Sequence, residues 1–245
     1  GSGASNTIWH QSNNYMYMVG GSSGLALKDA TSETSSVILV ANQVTLTGGS
    51  GSLKVDTNSR ISLSNNDSSN TGNTIFGKSA WNNSSNNASD YNTIFGEGVM
   101  GTGAVAGALG NVGVGFETLK DITDGGYNVA IGYQSGQNFT SADECIAIGT
   151  NSLNLATLAQ NSIAIGRNAM SGITTNAVDG AVAIGFGAFI GASGTTTGAN
   201  YTVAVGASAL KALTTGAGNV AVGYNALLTE DTGAKNTAIG YQSMK

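Results

Sequence analysis

One five-residue phrase recurs ten times in this chain, seen cleanly as Asn128-Val-Ala-Ile-Gly132 and again as Asn219-Val-Ala-Val-Gly223. Anchored on its closing glycine, the series runs Gly77, Gly96, Gly115, Gly132, Gly149, Gly166, Gly185, Gly206, Gly223 and Gly240. Successive copies lie 19, 19, 17, 17, 17, 19, 21, 17 and 17 residues apart, so the length varies only in steps of two or four. Self-similarity at a short, nearly fixed period marks a solenoid, in which each unit is too thin to bury its apolar surface except against its neighbours.

The columns of the repeat say how each coil is built. One residue before the glycine stands a large apolar side chain in every copy, from Phe76 and Phe95 to Val222 and Ile239. Three before it stands Thr, Val or Ile. Between them lies Ala in seven copies, Gly113 in one, and Ile75 and Ile94 in the first two. Alternation of β-branched and small residues over a short run predicts a strand with two unlike faces. The expectation is that the large face lines the coil and the alanine face lets another backbone come close. Glycine closes the strand because it accepts a positive φ. Three and four residues later come a small residue and then a bulky apolar one (Trp81, Met100, Leu119, Leu153, Met170, Phe189, Leu210, Leu227, Met244), with Gly136 as the exception. This second segment is expected to return over the first as a strand or a single helical turn. About 17 residues hold two strands of roughly five plus two turns. At about 4.8 Å per stacked strand, ten coils predict a rod about 45–50 Å long.

Asn stands four residues before the glycine in six of the ten copies (Asn73, Asn92, Asn111, Asn128, Asn219, Asn236), and stacked amides can hydrogen-bond along a rod. Cys145 occupies the same column and reads as an ordinary occupant of it; a single cysteine excludes an internal disulfide framework. Charged residues are only 9% of the chain and proline is absent, as suits stacked ladders with no place for a residue lacking N–H. A net charge of −5 argues against nucleic acid, whose phosphates need a basic stripe. No apolar run approaches the roughly 18–20 residues of a membrane-spanning helix, so no membrane insertion is expected.

Outside the repeats, residues 1–22 read as an N-terminal connector or cap. Residues 23–70 read as short strands leading into the repeat domain at 71–245. Two nucleotide signatures match only in form. Gly72-Asn-Thr-Ile-Phe-Gly77-Lys78-Ser79 fits the phosphate-loop pattern, but the strand lies inside the motif and no helix pattern follows. Gly96-Glu-Gly98-Val-Met-Gly101 fits the dinucleotide pattern without a βαβ unit around it. His10 is the sole histidine, which leaves little for triads or metal–histidine sites, and neither a cofactor nor a metal is expected. The nearest carboxylate clusters, Asp121 with Asp124 and Asp143 with Glu144, fall where Asp commonly forms turns. The chain therefore does not read as an enzyme. The residue just after the glycine is aromatic in five copies: Phe116, Tyr133, Phe186, Tyr224 and Tyr241. These rings either shield coil corners and an interchain seam or form a row on which sugars stack. They are the candidate receptor contacts.

The phrases Asn161-Ser-Ile-Ala-Ile-Gly166 and Asn236-Thr-Ala-Ile-Gly240 resemble the head repeats of trimeric autotransporter adhesins, the YadA-like head. The resemblance covers about residues 71–245. It implies an all-β, left-handed parallel β-roll in which three chains associate around one axis and the exposed surface adheres to a host. The coils here are longer than that family's usual repeat. Their Thr215-Gly216 and Thr232-Gly233 turns look more like the version in bacteriophage tail fibres and spikes, as does residues 58–67. In many such fibres a self-cleaving trimerisation chaperone follows the repeats. The function this implies is host attachment from a virion, through a surface glycan or protein. The alternatives are the head of a bacterial cell-surface adhesin, a tailspike depolymerase, and a structural spacer. A homotrimer also follows from size, since a thin roll gains core by burying a flat face against two copies.

Overall fold

A computed structural model describes residues 72–81, 89–102, 105–174, 178–191 and 196–245, together with the pairs Gln11–Ser12 and Tyr15–Met16. The chain divides into two compact units, Gly1–Ser59 and Arg60–Lys245. In the first, β1 (Gln11–Ser12) pairs antiparallel with β2 (Tyr15–Met16), with Gln11 opposite Met16. The expected connector over 1–22 and the strand region over 23–70 otherwise lie outside the described residues, as does His10.

The second unit is a parallel β-solenoid of about nine turns. Each repeat phrase forms one three-residue strand: β3 (Thr74–Phe76), β4 (Thr93–Phe95), β5 (Val112–Val114), β6 (Val129–Ile131), β7 (Ile146–Ile148), β8 (Ile163–Ile165), β9 (Val182–Ile184), β10 (Val203–Val205), β11 (Val220–Val222) and β12 (Thr237–Ile239). They stack in chain order as one parallel sheet from β3 to β12. The register is column on column, Ala147 beside Ala164 and Ile148 beside Ile165. No helix occurs among the described residues.

The strand's inside and outside are the reverse of the expectation. The alanines Ala130, Ala147, Ala164, Ala183, Ala204 and Ala221 are fully buried, while the large residues beside them face outward, with Ile131 and Ile184 each 38% exposed. Volume explains the reversal. The segment after the glycine lies directly across the strand's middle residue: a methyl group added at Gly113 would meet Val99 Cγ1 at 2.6 Å, Thr118 Oγ1 at 3.3 Å and Leu119 Cδ1 at 3.5 Å. Where a Leu, Met or Phe plugs the coil from that side, the strand's middle column is alanine or glycine in eight coils, while the first two hold Ile75 and Ile94 there.

The plug is neither a strand nor a helical turn. The residue at the plug position takes a left-handed backbone in every coil, from Phe189 at φ 43° to Gly136 at φ 55°, and so does the residue two after the closing glycine. A left-handed L-residue costs roughly 1–2 kcal/mol. Burial of the side chain offsets that cost, as does an N–H aimed at the next coil: Leu153 donates to Ala169 O at 3.0 Å and Phe189 to Ala209 O at 2.8 Å. Thus each coil bonds to its neighbours well beyond the strands, which satisfies turn backbone that a thin fold could not bury otherwise. Where Gly136 leaves the plug empty, Phe139 supplies it. Its ring lies 3.1 Å from where a Gly136 methyl would stand, and Phe139 is fully buried.

The glycine column is a wall of backbone. Gly77, Gly96, Gly115, Gly132, Gly149, Gly166, Gly185, Gly206, Gly223 and Gly240 have φ between 123° and 148°, and each N–H from Gly96 to Gly240 donates to the large residue's carbonyl in the coil before. Asparagine forms the expected ladder. Asn92 Nδ2 donates to Asn73 Oδ1 (3.2 Å), Asn111 to Asn92 (3.1 Å) and Asn128 to Asn111 (3.0 Å). Each Oδ1 also accepts the next coil's backbone N–H, and each Nδ2 donates to a carbonyl of the next turn, as from Asn111 to Gly125 O at 2.9 Å. Cys145 ends this run: its N–H bonds to Asn128 Oδ1 at 3.0 Å, and its thiol donates to Asp143 O at 3.3 Å. Burial pushes the thiol up to about 12, so it stays protonated.

Replacing Asn111 with alanine strips acceptors from the Asn128 N–H and side-chain amide and a donor from Gly125 O, all inside the protein. We expect a loss of about 2–3 kcal/mol by chemical denaturation. Asn236→Ala, at the open end of the second run where only its own N–H is held by Asn219, should cost under about 1 kcal/mol.

Candidate functional site

Because the large residues face outward, the sheet presents two parallel columns of half-exposed Val and Ile, among them Ile146, Ile148, Ile163, Ile165, Val203 and Val205. The aromatic residues that follow the glycine stand at one end of the strands, beside this face. All are exposed: Phe116 at 38%, Tyr133 and Tyr224 at 48%, Phe186 at 49% and Tyr241 at 73%. They form three separate clusters, since Thr150 and Ala207 interrupt the column. Phe116 stacks on Tyr133 with centroids 5.2 Å apart and planes 14° apart, and Tyr224 on Tyr241 at 5.3 Å and 21°. The Arg167 guanidinium lies 4.6 Å from the Phe186 ring centre. The rings thus turn their faces along the stack and cover one another, which leaves edges and outermost faces for a ligand.

A second aromatic column precedes the strands. Five residues before the glycine, Tyr91, Tyr127 and Tyr201 are 65%, 59% and 64% exposed, and all are left-handed at φ 56–60°. Each ring rests on a glycine in the same column of the preceding coil, Gly72, Gly110 and Gly180, where even a methyl group would lie only 2.7–3.0 Å from the ring. The signal was present as a Gly-then-Tyr alternation between coils at one fixed offset. Tyr201 also donates its hydroxyl to Asp179 Oδ2 (3.2 Å), and that carboxylate holds the phenol above its ordinary value.

Beside Phe116 the polar groups are ordered. Glu117 Oε1 accepts from Lys120 Nζ at 2.7 Å, while Oε2 accepts from Gln134 and Gln137 of the next coil, both at 2.9 Å. These donors, Lys120 first, hold Glu117 below the usual carboxylate range, and Lys120 is raised in return. Glu117 therefore stays ionised near neutral pH and is a poor general acid. Next to it opens a cleft of about 260 Å³ whose lining includes Phe116, Glu117, Lys120, Gly98 and Gly101.

The formal nucleotide motifs are coil parts. Residues 74–76 of the phosphate-loop match are strand β3, and Lys78 pairs with Glu97 at 2.9 Å on the surface. The carboxylate clusters serve turns. Asp143 Oδ1 accepts the Gly126 N–H at 2.7 Å, Asp124 accepts from Thr123 and Ser141, and Asp121 from Thr102. Among the described residues no three His, Cys, Asp or Glu side chains gather as metal ligands.

The chain matches no protein-family model, no curated protein and no solved structure.

Proposed function

We propose that the chain is the attachment segment of a phage tail fibre, a homotrimer of left-handed β-rolls that binds a glycan or protein of the host surface. The observation that carries this reading is the outward face of the ten-strand sheet, where Val and Ile repeat in register from coil to coil and stay half-exposed on a single chain. Contiguous apolar surface of that kind marks an association face. Three copies meeting through it would bury these columns around one axis. The large residues, not the alanines, form the contact, because the alanines are spent inside each coil. The aromatic corners would then flank the seam and remain reachable for a ligand. Pairs of aromatic rings with amides and hydroxyls beside them suit sugars, which offer apolar ring faces and many hydroxyls.

Native mass measurement should give three chains. Ile148→Glu with Ile165→Glu, a charge pair on the outward face, should yield monomers, and a stable wild-type monomer would count against the trimer. In a glycan-array or whole-cell adsorption assay, Tyr133→Ala with Tyr224→Ala should reduce binding about tenfold or more while the trimer persists. Unchanged binding would remove these rings from the receptor contact.

A further inference from the structure

We infer that the cleft between the second and third coils is a subsite for one neutral hexopyranose residue. It deepens, and rests on, the glycan arm of the attachment reading. The cleft arises from a local break in the repeat. Two and five residues after the closing glycine, the third coil carries Glu117 and Lys120 and the fourth carries Gln134 and Gln137, whereas the second carries Gly98 and Gly101. Four interlocked polar side chains therefore face Gly98 and Gly101 across the cleft, with Ser79, Glu97 and Thr102 at its edges. The space between, about 260 Å³, suits a single sugar ring with its hydroxyls.

The wall is already oriented. Three donors fix the Glu117 carboxylate, and its side chain keeps 20% exposure. Lys120 spends one of three N–H donors on Glu117, which leaves two for ligand oxygens. Phe116 completes the site. Tyr133 of the fourth coil stacks on one of its faces, and its other face lies on the side of the second coil, whose Glu97 shares its column and lines the cleft with it. An aromatic face beside a fixed carboxylate and ammonium matches a pyranose, apolar on one side and bearing hydroxyls at its rim. Charge selects a neutral sugar. Lys120 is balanced by Glu117 and Lys78 by Glu97, so neither an acidic nor a basic sugar finds an unmatched partner.

Saturation-transfer NMR on the intact chain, with methyl glycosides of glucose, galactose, mannose, N-acetylglucosamine and glucuronic acid, tests this directly. At least one neutral glycoside should bind. Its Kd should rise at least tenfold in Gly98→Asn, which fills the cleft, and in Phe116→Ala. Asn already takes the same left-handed backbone in this column at Asn151 and Asn168, so the coil accepts Gly98→Asn, and Phe116 is exposed, so its loss leaves the core intact. Lys211→Ala, on a distant coil, should leave Kd unchanged. The proposal is overturned if no neutral glycoside binds, if the glucuronide binds more tightly, or if both variants bind like the wild type. Whole-cell adsorption measured in parallel separates the two readings. Glycoside binding without adsorption keeps the subsite and removes attachment. Adsorption with no glycoside bound keeps attachment and removes the subsite.

Discussion

Gly166→Ala is expected to destabilise the solenoid by at least about 3 kcal/mol, among the largest effects a single methyl group can have. The added methyl would stand 2.5 Å from the Gly185 carbonyl oxygen and 2.7 Å from its carbon, on a backbone at φ 128° that side chains rarely adopt. Neither neighbour can swing away, because both are main chain. The coils would have to part, and with them the bonds from Gly166 to Ile148 O and from Gly185 to Ile165 O, each 2.8 Å. In a linear array, stability is largely a sum of such interfaces, so one broken contact near the middle weakens both halves. Gly198→Ala is the matched control: φ is 67° and no atom lies within 4 Å of the new methyl, so only the backbone cost of about 1–2 kcal/mol remains. Chemical denaturation of the two variants followed by circular dichroism measures the difference. Equal losses would mean that contact between glycines of successive coils does not set the spacing.

Phe189→Ala should cost about 3–5 kcal/mol. This ring is the plug of its coil, fully buried, and held at φ 43° by the N–H bond to Ala209 O. Truncation leaves the strained backbone in place and removes the burial that offsets it. The alanine column opposite is too short to fill the hole, so relaxation is limited. Leu158, an exposed apolar residue at 41%, should lose under about 1 kcal/mol on the same change. Denaturation midpoints read both, and a small loss at Phe189 would show that the coils can close over a missing plug.

Gly98→Asn separates shape from stability in another way, because it fills the cleft at a position whose backbone other coils already give to asparagine. Its effect should fall on sugar affinity and not on melting.

Much of this architecture was legible as text. The ten closing glycines, the strand before each, and the asparagine ladder depend on one residue type doing one thing at one offset. Repetition makes such local demands visible: glycine for a positive φ against a neighbouring backbone, asparagine for an amide that bonds above and below. The aromatic column from Phe116 to Tyr241 is visible for the same reason, and its exposure follows from lying beyond the strand's end. The Tyr91, Tyr127 and Tyr201 column obeys the same logic but alternates with glycine from coil to coil, so no single copy displays it.

By itself the sequence determined the position of each of the ten strands, the register between them and the column that hydrogen-bonds along the stack, since each is a local requirement repeated ten times. Only the tertiary structure decided which face of the strand points inward. Alternation announces two unlike faces, but the space available beside each depends on what lies across the coil, and the left-handed turn carrying Leu119, Phe189 or Leu210 faces a strand position that holds only glycine or alanine. The cleft beside Glu117 is likewise a property of neighbours, a side-chain array built from two coils facing glycines in the coil before, at about 4.8 Å per coil. Contacts between residues 17–21 positions apart come from stacking, and no single coil contains them.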